Sequence, residues 1–335
     1  MEWEAPPPVA SDRVTVDLQA KFERVDVAYK TVNQTPIETA IFIPKDLAAG
    51  PEAQTAPVLV NFHGGALVTG ANPEPFFMAD WVRNLAHTTK SIFLCPAYRL
   101  IPESRAVEIL DDVGDFWTWL HAHLPAEIAA RYPHLTPDLT RVVASGESAG
   151  GYLALQSALQ FNGTAKLRAV MTQYPALFPD VPGFRARPAG VPEQSPLDVV
   201  VDDAIKSARA ARGTVVIRTS SPWPAKADLI RAVFATGRLA DLYGEDPEGR
   251  LTLRYALARA EEAPPPLWLI QGDEDAMVQK DWTDEVVAGL RRERPKAVVK
   301  YTVRPGSHGF DQGNQLEDDW VKEGVEFIKG YWLQV

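Results

Sequence analysis

The chain has 335 residues, of which 46% are hydrophobic and 23% charged, a composition that supports a large buried core and argues against disorder. Its 34 basic and 44 acidic residues give a formal net charge of −10, which argues against a surface for nucleic acid or an anionic membrane. The single cysteine, Cys95, excludes a disulfide within the chain and any metal site built from several cysteines.

The N-terminal residues 1–19 carry neither the basic region nor the apolar region of a signal peptide. The chain also contains no run of about 18 apolar residues, the length that a membrane-spanning helix needs. We therefore expect no signal peptide and no membrane span, and we predict a cytoplasmic protein.

Short runs rich in β-branched residues alternate with longer segments of helical spacing. Strands are predicted at residues 22–29, 38–44, 57–63, 91–96, 141–146, 168–175, 267–272 and 297–303, and helices at 104–124, 152–159, 281–294 and 316–332. The later strands are nearly continuous apolar runs, typical of strands that are buried on both faces of a parallel sheet. The alternation predicts an α/β fold whose ligand site lies at the carboxyl ends of the strands.

One long region, residues 178–262, interrupts this alternation. It holds several prolines and weak helical patterns at 199–211 and 226–243, without a convincing core strand. An insertion of this length is typical of a lid or a binding element, although a purely structural elaboration gives the same pattern.

A serine lies between small residues directly after the fifth predicted strand, in Gly146-Glu147-Ser148-Ala149-Gly150. On a sharp turn from a strand into a helix, side chains next to the serine would collide with both elements, so glycines are required there. A glycine-rich helix start is the structural alternative. The strand before and the helix after favour a nucleophilic Ser148, which needs a base to take its proton and donors to hold an oxyanion.

In folds with this nucleophile turn, the acid and the histidine follow the serine along the chain. Only His308 of the six histidines follows Ser148, and it lies in a Gly/Pro/Ser loop after the last predicted strand, so it is the predicted base. The loop after the seventh strand offers three carboxylates, Asp273, Glu274 and Asp275. The loop pattern familiar from folds with this nucleophile turn is Gly-x-x-Asp-x-x-Val, which Gly272, Asp275 and Val278 match. This resemblance favours Asp275 as the acid, with Asp273 as the alternative.

The oxyanion donors are predicted next to the third strand, in the segment HGGA. Residues without bulk allow backbone N–H groups to approach a substrate carbonyl. We predict that the N–H groups of Gly65, Ala66 and Ala149 bind the oxyanion and that Gly64 keeps the loop close. His63 precedes the nucleophile and is interpreted as a residue that orients this loop.

Five ordered motifs resemble the hormone-sensitive-lipase-like family of α/β-hydrolases, also called the fold-3 carboxylesterases. They are HGGA at 63–66, YRLIPES at 98–104, GESAGG at 146–151, GDEDAMV at 272–278 and GSHGF at 306–310. The resemblance covers about residues 35–335. It implies an α/β-hydrolase fold with a mostly parallel eight-stranded sheet, helices on both faces and a helical cap, and hydrolysis of carboxylic esters without a metal or an organic cofactor.

The resemblance also implies a domain organisation. Residues 36–177 and 263–335 form the predicted hydrolase core, while residues 1–35 and the insertion 178–262 contribute to the cap. The arginine and glutamate of YRLIPES, Arg99 and Glu103, are expected to hold the site loops. Two residues depart from the family pattern: Ala66 replaces the third glycine of HGGG, and Glu147 stands where aspartate is commoner.

The sequence thus predicts a serine esterase that cleaves short-to-medium acyl esters, or a small-molecule ester or lactone, through Ser148, His308, Asp275 and an acyl-enzyme. A lyase or transacylase of a specialised pathway could use the same three residues and stays an alternative. Receptors of this fold have lost the histidine, so the presence of His308 argues against a non-catalytic receptor. The physiological substrate and the oligomeric state stay open, with a homodimer as one alternative.

Overall fold

The computed structural model describes residues 11–176, 187–211, 217–259 and 263–334. Within them, one sheet contains eight strands in the order β1-β2-β4-β3-β5-β6-β7-β8. The strands are β1 (Phe22–Val32), β2 (Thr35–Pro44), β3 (Gln54–Phe62), β4 (Ile92–Pro96), β5 (Leu135–Glu147), β6 (Ala169–Gln173), β7 (Leu267–Gly272) and β8 (Val299–Arg304).

Twelve helices are described, together with a 3-10 helix at Leu239–Leu242. They are α1 (Ser11–Lys21), α2 (Lys45–Ala48), α3 (Asp80–Thr88), α4 (Ala106–Ala122), α5 (Leu124–Arg131), α6 (Ala149–Gln160), α7 (Asn162–Ala165), α8 (Pro196–Ala211), α9 (Ala227–Thr236), α10 (Leu253–Arg259), α11 (Lys280–Glu293) and α12 (Asp319–Trp332). None of these described helices is long and apolar enough to cross a bilayer.

The sheet is mostly parallel. Only β2 pairs antiparallel with its neighbours β1 and β4, and every other pairing from β4 to β8 is parallel. Strands β4, β6 and β7 are buried at every position, as their continuous apolar runs predict. The α/β-hydrolase fold and the eight-stranded sheet are therefore confirmed, and each predicted strand lies within a few residues of an observed one.

Side chains of alternate strand residues form two cores, one on each face of the sheet. Helices α4 and α6 and the helices of the insertion pack on one face. Helices α1, α3 and α12 cover the other, where Trp81, Trp268 and Trp332 are fully buried. Burial of such side chains, at about 2 kcal/mol each, is the main stabilising contribution and fixes the strand ends at which the site is built.

The sheet begins earlier than the predicted boundary between residues 35 and 36. Residues 22–32 form the edge strand β1, and the described part of the N-terminal segment, α1, packs against β1 and α3. The alternating pattern at 22–29 indicated a strand, but a half-exposed edge strand gives a weak signal for membership of the sheet.

The described part of the insertion is helical, with α8 packed on α9. It is attached to α6, because the Tyr152 hydroxyl donates a hydrogen bond of 2.6 Å to the carbonyl oxygen of Leu251. A second attachment lies beside the loop after β3, where Gly70 and Ser221 form an antiparallel bridge. The insertion therefore joins the hydrolase core next to the segments that carry the predicted site.

Candidate active site

Ser148 occupies a sharp turn between β5 and α6, and its side chain is half-buried. A Cβ atom at Gly146 or Gly150 would collide with backbone carbonyl oxygens, that of Gly150 in the first case and that of Phe62 in the second. Ser148 itself has a φ of 54° and a ψ of −116°, a sparsely populated conformation for a residue with a side chain that costs about 1–3 kcal/mol. Its N–H donates to the Gln173 carbonyl (2.9 Å), which helps to hold the strained turn.

The structure brings Ser148, His308 and Asp275 together. His308 Nε2 lies 3.0 Å from Ser148 Oγ, and His308 Nδ1 lies 2.8 Å from Asp275 Oδ2. The three residues follow β5, β8 and β7, so they meet at the carboxyl edge of the sheet, as parallel strands dictate. The Asp275 side chain is fully buried, whereas the His308 side chain is 19% exposed. Solvent therefore reaches the histidine and serine end of this chain of hydrogen bonds.

The spacing Gly-x-x-Asp-x-x-Val has a physical explanation in the loop after β7. Asp275 Oδ1 accepts hydrogen bonds from the N–H groups of Met277 (2.9 Å) and Val278 (2.8 Å), which leaves Oδ2 directed at the histidine. The alternative acid, Asp273, is exposed and accepts a bond of 3.2 Å from the N–H of Gly306. Of the two candidates, only Asp275 contacts the imidazole.

The loop after β3 turns sharply beside the serine. The Gly65 carbonyl accepts the N–H groups of Val68 (2.9 Å) and Thr69 (3.0 Å), and Gly65 and Ala66 have φ values of 103° and 56°. A Cβ atom at Gly65 would collide with the Thr69 carbonyl, so this glycine is required. Among the described residues, no hydrogen-bond acceptor is found for the N–H groups of Gly65, Ala66 or Ala149, which are the three predicted donors.

Glu147 links this loop to the nucleophile turn, a role that the sequence analysis did not foresee. Its Oε1 accepts the N–H of Gly64 (2.9 Å) and its Oε2 accepts Asn61 Nδ2 (3.2 Å). The N–H of Gly64 is therefore occupied, consistent with its predicted part in keeping the loop close. Burial raises the pKa of Glu147 to about 8, against the two donors that lower it.

His63 supports the same loop. Its Nδ1 lies 2.7 Å from the Gly64 carbonyl oxygen, and its ring stacks on Tyr98 with centroids 4.2 Å apart. The Tyr98 hydroxyl donates to the His63 carbonyl at 2.6 Å. Burial lowers the pKa of His63 to about 4, which favours the neutral ring at physiological pH, and the contacts of His63 are compatible with the loop-orienting part expected of it.

The YRLIPES segment ties neighbouring elements together. Arg99 forms a two-pronged ion pair with Asp112 of α4, with Nε–Oδ2 and Nη2–Oδ1 distances of 2.8 Å. Glu103 pairs with Arg218 (2.9 Å) and Lys226 (2.8 Å), which belong to the insertion. Glu103 therefore fastens the segment 217–226 beside the site.

Two further features of the described chain lie outside this arrangement. A surface cavity of about 510 Å³ lies between Arg304 and Glu323, and no predicted site residue lines it. No group of three or more His, Cys, Asp or Glu side chains in the described ranges is arranged to hold a metal ion.

Comparison with known proteins gives three findings. Residues 59–214 match the model of a family with the α/β-hydrolase fold. The chain is 30% identical over 322 residues to a protein of Phoma sp. named probable carboxylesterase M8, and the alignment covers 93% of this chain and 97% of that protein. A fungal esterase structure from Rhizomucor miehei superposes with a TM-score of 0.61 at 16% identity, covering 98% and 93% of the two chains, which shows a shared fold.

A shorter match is of a different kind. A stretch of 133 residues is 33% identical to part of the non-reducing polyketide synthase atr1 of Stereocaulon alpinum, covering 39% of this chain and 5% of that protein. The carboxylesterase M8 match, by contrast, spans nearly the whole of both proteins. Together with the family model and the five ordered motifs, that match shows that the chain belongs to the hormone-sensitive-lipase-like carboxylesterase family of α/β-hydrolases, a family of carboxylic ester hydrolases.

Proposed function

We propose that this chain hydrolyses carboxylic esters with Ser148 as the nucleophile, His308 as the general base and Asp275 as its partner. The observation that carries the proposal is the continuous hydrogen-bonded chain from Asp275 through His308 to Ser148. Three separate loops contribute to it at one edge of the sheet, and its nucleophilic end is open to solvent.

In the first half of the reaction, His308 Nε2 takes the proton of Ser148 as the serine oxygen attacks the ester carbonyl. Asp275 holds the imidazole in the tautomer that carries its proton on Nδ1, and it stabilises the imidazolium that forms. The N–H groups of Gly65, Ala66 and Ala149 receive the oxyanion. His308 then protonates the leaving alcohol, and the acyl group stays on Ser148.

In the second half, water replaces the alcohol. His308 takes a proton from the water as its oxygen attacks the acyl-enzyme, and the same N–H groups hold the second oxyanion. The proton then passes from His308 to Ser148 Oγ as the carbon–oxygen bond to the serine breaks. The products are a carboxylic acid and the free enzyme, so each step balances with groups of this chain and water.

For the substrate, we propose a short-to-medium acyl ester or a small-molecule ester or lactone. Segment 217–226 of the insertion is held by Glu103 and by the bridge between Gly70, in the loop after β3, and Ser221. Thr69 Oγ1 adds a further bond of 2.5 Å to the Ser221 carbonyl. An insertion held in this way is suited to act as a cap that roofs the serine and limits the size of the acyl group.

The experiment combines a fluorophosphonate probe, which labels an activated serine, with a panel of p-nitrophenyl esters. Wild type is expected to be labelled and to release p-nitrophenol with a burst equal to the acyl-enzyme formed, whereas Ser148→Ala does neither. Ser145→Ala is the matched control, because Ser145 is a buried serine of the same strand outside the site. Near-wild-type turnover in Ser148→Ala would refute the proposal.

A second candidate function is acyl transfer to an alcohol in place of water, with a polyketide-derived acyl group. The similarity to part of a non-reducing polyketide synthase favours it. The same acyl-enzyme serves both reactions, so the acceptor decides between them. Adding graded alcohols to the ester assay measures the partition: a new ester formed in preference to acid at low alcohol concentration supports transfer, whereas acid as the sole product supports hydrolysis.

A further inference from the structure

A buried tyrosine packs against the base of the site. Tyr174 directly follows β6, is fully buried, and has an imidazole–phenol centroid distance of 4.6 Å to His308. Its backbone has a φ of 35°, and its N–H donates to the Ile270 carbonyl at 2.6 Å. A left-handed conformation in a bulky residue is costly and persists only where the surroundings enforce it. The chain thus holds this ring against His308 at the expense of local strain.

The hydroxyl of the same tyrosine is held by a buried carboxylate. Tyr174 OH donates to Asp311 Oδ1 at 2.9 Å, and Trp81 Nε1 donates to Asp311 Oδ2 at 2.9 Å. Asp311 is 0% exposed and lies three residues after His308. In the described ranges, no Lys or Arg forms an ion pair with Asp311. A carboxylate that only neutral donors satisfy is expensive to bury, and removing it would stabilise an ordinary core.

Asp311 also interacts with the base itself. Burial raises the pKa of Asp311, and the hydrogen bonds from Trp81 and Tyr174, together with the nearby His308, act in the opposite direction. Opposite charges attract, so an ionised Asp311 stabilises an imidazolium that forms at His308 during the reaction. The imidazolium forms only while the serine proton is on His308, which is when a nearby negative charge has its effect on the reaction.

We propose that Tyr174 and Asp311 are positioning residues for His308: Asp311 fixes the tyrosine, and the pair stabilises the imidazolium that forms when Ser148 loses its proton. The ring of Tyr174 lies within the range in which an aromatic ring attracts a cation. Donation of its O–H to a carboxylate makes the ring richer in electrons, which strengthens that attraction. The inference rests on the proposed function, since it assigns His308 the role of base.

The test uses the full-length chain with Asp311→Asn, Tyr174→Phe and Tyr174→Leu, assayed with p-nitrophenyl butyrate and by the rate of fluorophosphonate labelling. Asp311→Asn is expected to lower kcat by about 10- to 100-fold with little change in KM, because a misplaced base loses rate and leaves binding intact. Tyr174→Phe keeps the ring, and its kcat is expected to fall only a few-fold. Tyr174→Leu removes the ring, and its kcat is expected to fall further than that of Tyr174→Phe.

The pH profile separates this role from a structural one. Loss of the negative charge in Asp311→Asn disfavours the imidazolium, so the acidic limb of kcat/KM is expected to move to lower pH. A merely loosened fold lowers the rate without that movement. Asp80→Asn is the control: Asp80 is a buried carboxylate beside Trp81 that accepts a hydrogen bond from Gln315 and pairs with Arg13 and Arg83, and among the described residues it has no hydrogen bond or ion pair with His308.

Each result of these experiments supports or overturns the proposal. An unmoved acidic limb with kcat no lower than in Asp80→Asn would overturn the proposal, provided that both variants unfold at similar temperatures. Should Asp311→Asn fail to fold, the labelling rates of the tyrosine variants decide. A rate that falls from wild type to Tyr174→Phe and falls further in Tyr174→Leu supports the proposal, whereas equal labelling rates in the three proteins overturn it. Failure of wild type to label at Ser148 would overturn the proposed function together with this inference.

Discussion

Substitution of Glu147 by glutamine separates its charge from its hydrogen bonds. The new carboxamide oxygen can accept the N–H of Gly64, and its nitrogen then faces Asn61. Asn61 Oδ1 is buried with no hydrogen-bond partner among the described residues, so a half-turn of the Asn61 amide places an acceptor against the new donor. We therefore expect Glu147→Gln to keep the loop after β3 in place and to hydrolyse p-nitrophenyl butyrate within a few-fold of wild type.

The stability of this variant is expected to depend on pH differently from that of wild type. Burial raises the pKa of Glu147 to about 8 from its ordinary 4.5, so between these values the folded chain holds a proton that the unfolded chain releases. The free energy of unfolding then falls as pH rises, by about 1.4 kcal/mol per pH unit. The contribution is fully present below pH 4.5 and is lost by pH 8, which amounts to several kcal/mol.

Urea unfolding at pH values from about 5 to 8.5 measures this contribution. Glu147→Gln is expected to be close to wild type at the acidic end and more stable at the alkaline end. Glu147→Ala instead leaves two buried donors without an acceptor, at about 1–3 kcal/mol each, and loses stability at every pH. Glu326→Gln, an exposed glutamate of α12, controls for loss of a charge. A pH slope in Glu147→Gln equal to that of wild type would refute the reasoning.

Three other outcomes follow from the geometry. Asp275→Asn is expected to lower turnover by about four orders of magnitude, while Asp273→Asn stays within a few-fold of wild type; steady-state kinetics that rank them in reverse would move the acid to Asp273. Gly150→Ala forces a Cβ atom into a backbone carbonyl and is expected to lower the free energy of unfolding by about 3 kcal/mol or more. Gly163→Ala is the control: the space beside Gly163 is empty, so the free energy of unfolding is expected to change by about 1 kcal/mol or less. In an ester panel, acetyl to hexanoyl esters are expected to be cleaved faster than long-chain triglyceride, and the opposite preference would contradict a roof over the serine.

The parts of the fold that the sequence predicted are those with strong local signals. Continuous apolar runs located the buried strands, because each residue in them must avoid water on both faces of the sheet. The turn at Ser148 was predicted because a side chain at its glycines would collide with backbone atoms a few residues away or on the adjacent strand. The edge strand β1 and the short helices α2 and α7 carry weak signals, and their place in the fold comes from tertiary packing.

The same distinction applies to the site. Asp275 was favoured by a familiar loop pattern, and the structure explains that pattern by the local contacts of Asp275 with the N–H groups of Met277 and Val278. The contacts of Glu147 with Gly64 and of Tyr174 with Asp311 join residues 83 and 137 positions apart. No periodicity or spacing connects such residues, so their partnership emerges only when the strands are paired and the loops packed. Both carboxylates are buried, at a cost that sequence composition does not reveal.

The two departures from the family pattern are Glu147 and Ala66. Glu147 accepts the N–H of Gly64, and Ala66 lies two residues after Gly64 in the same loop, so the coupling between the two positions can be tested. An aspartate side chain is one methylene shorter than a glutamate side chain, by about 1.5 Å. In Glu147→Asp the loop after β3 must therefore move towards residue 147 to restore the hydrogen bond from the Gly64 N–H. Ala66 resists that movement, because at a φ of 56° its conformational freedom is narrow, whereas glycine adopts such angles freely. We expect Glu147→Asp alone to lower kcat/KM by about tenfold or more, and Ala66→Gly in the same chain to recover part of that loss. Strictly additive effects in this double-mutant cycle would show that the two residues adjust to the fold independently.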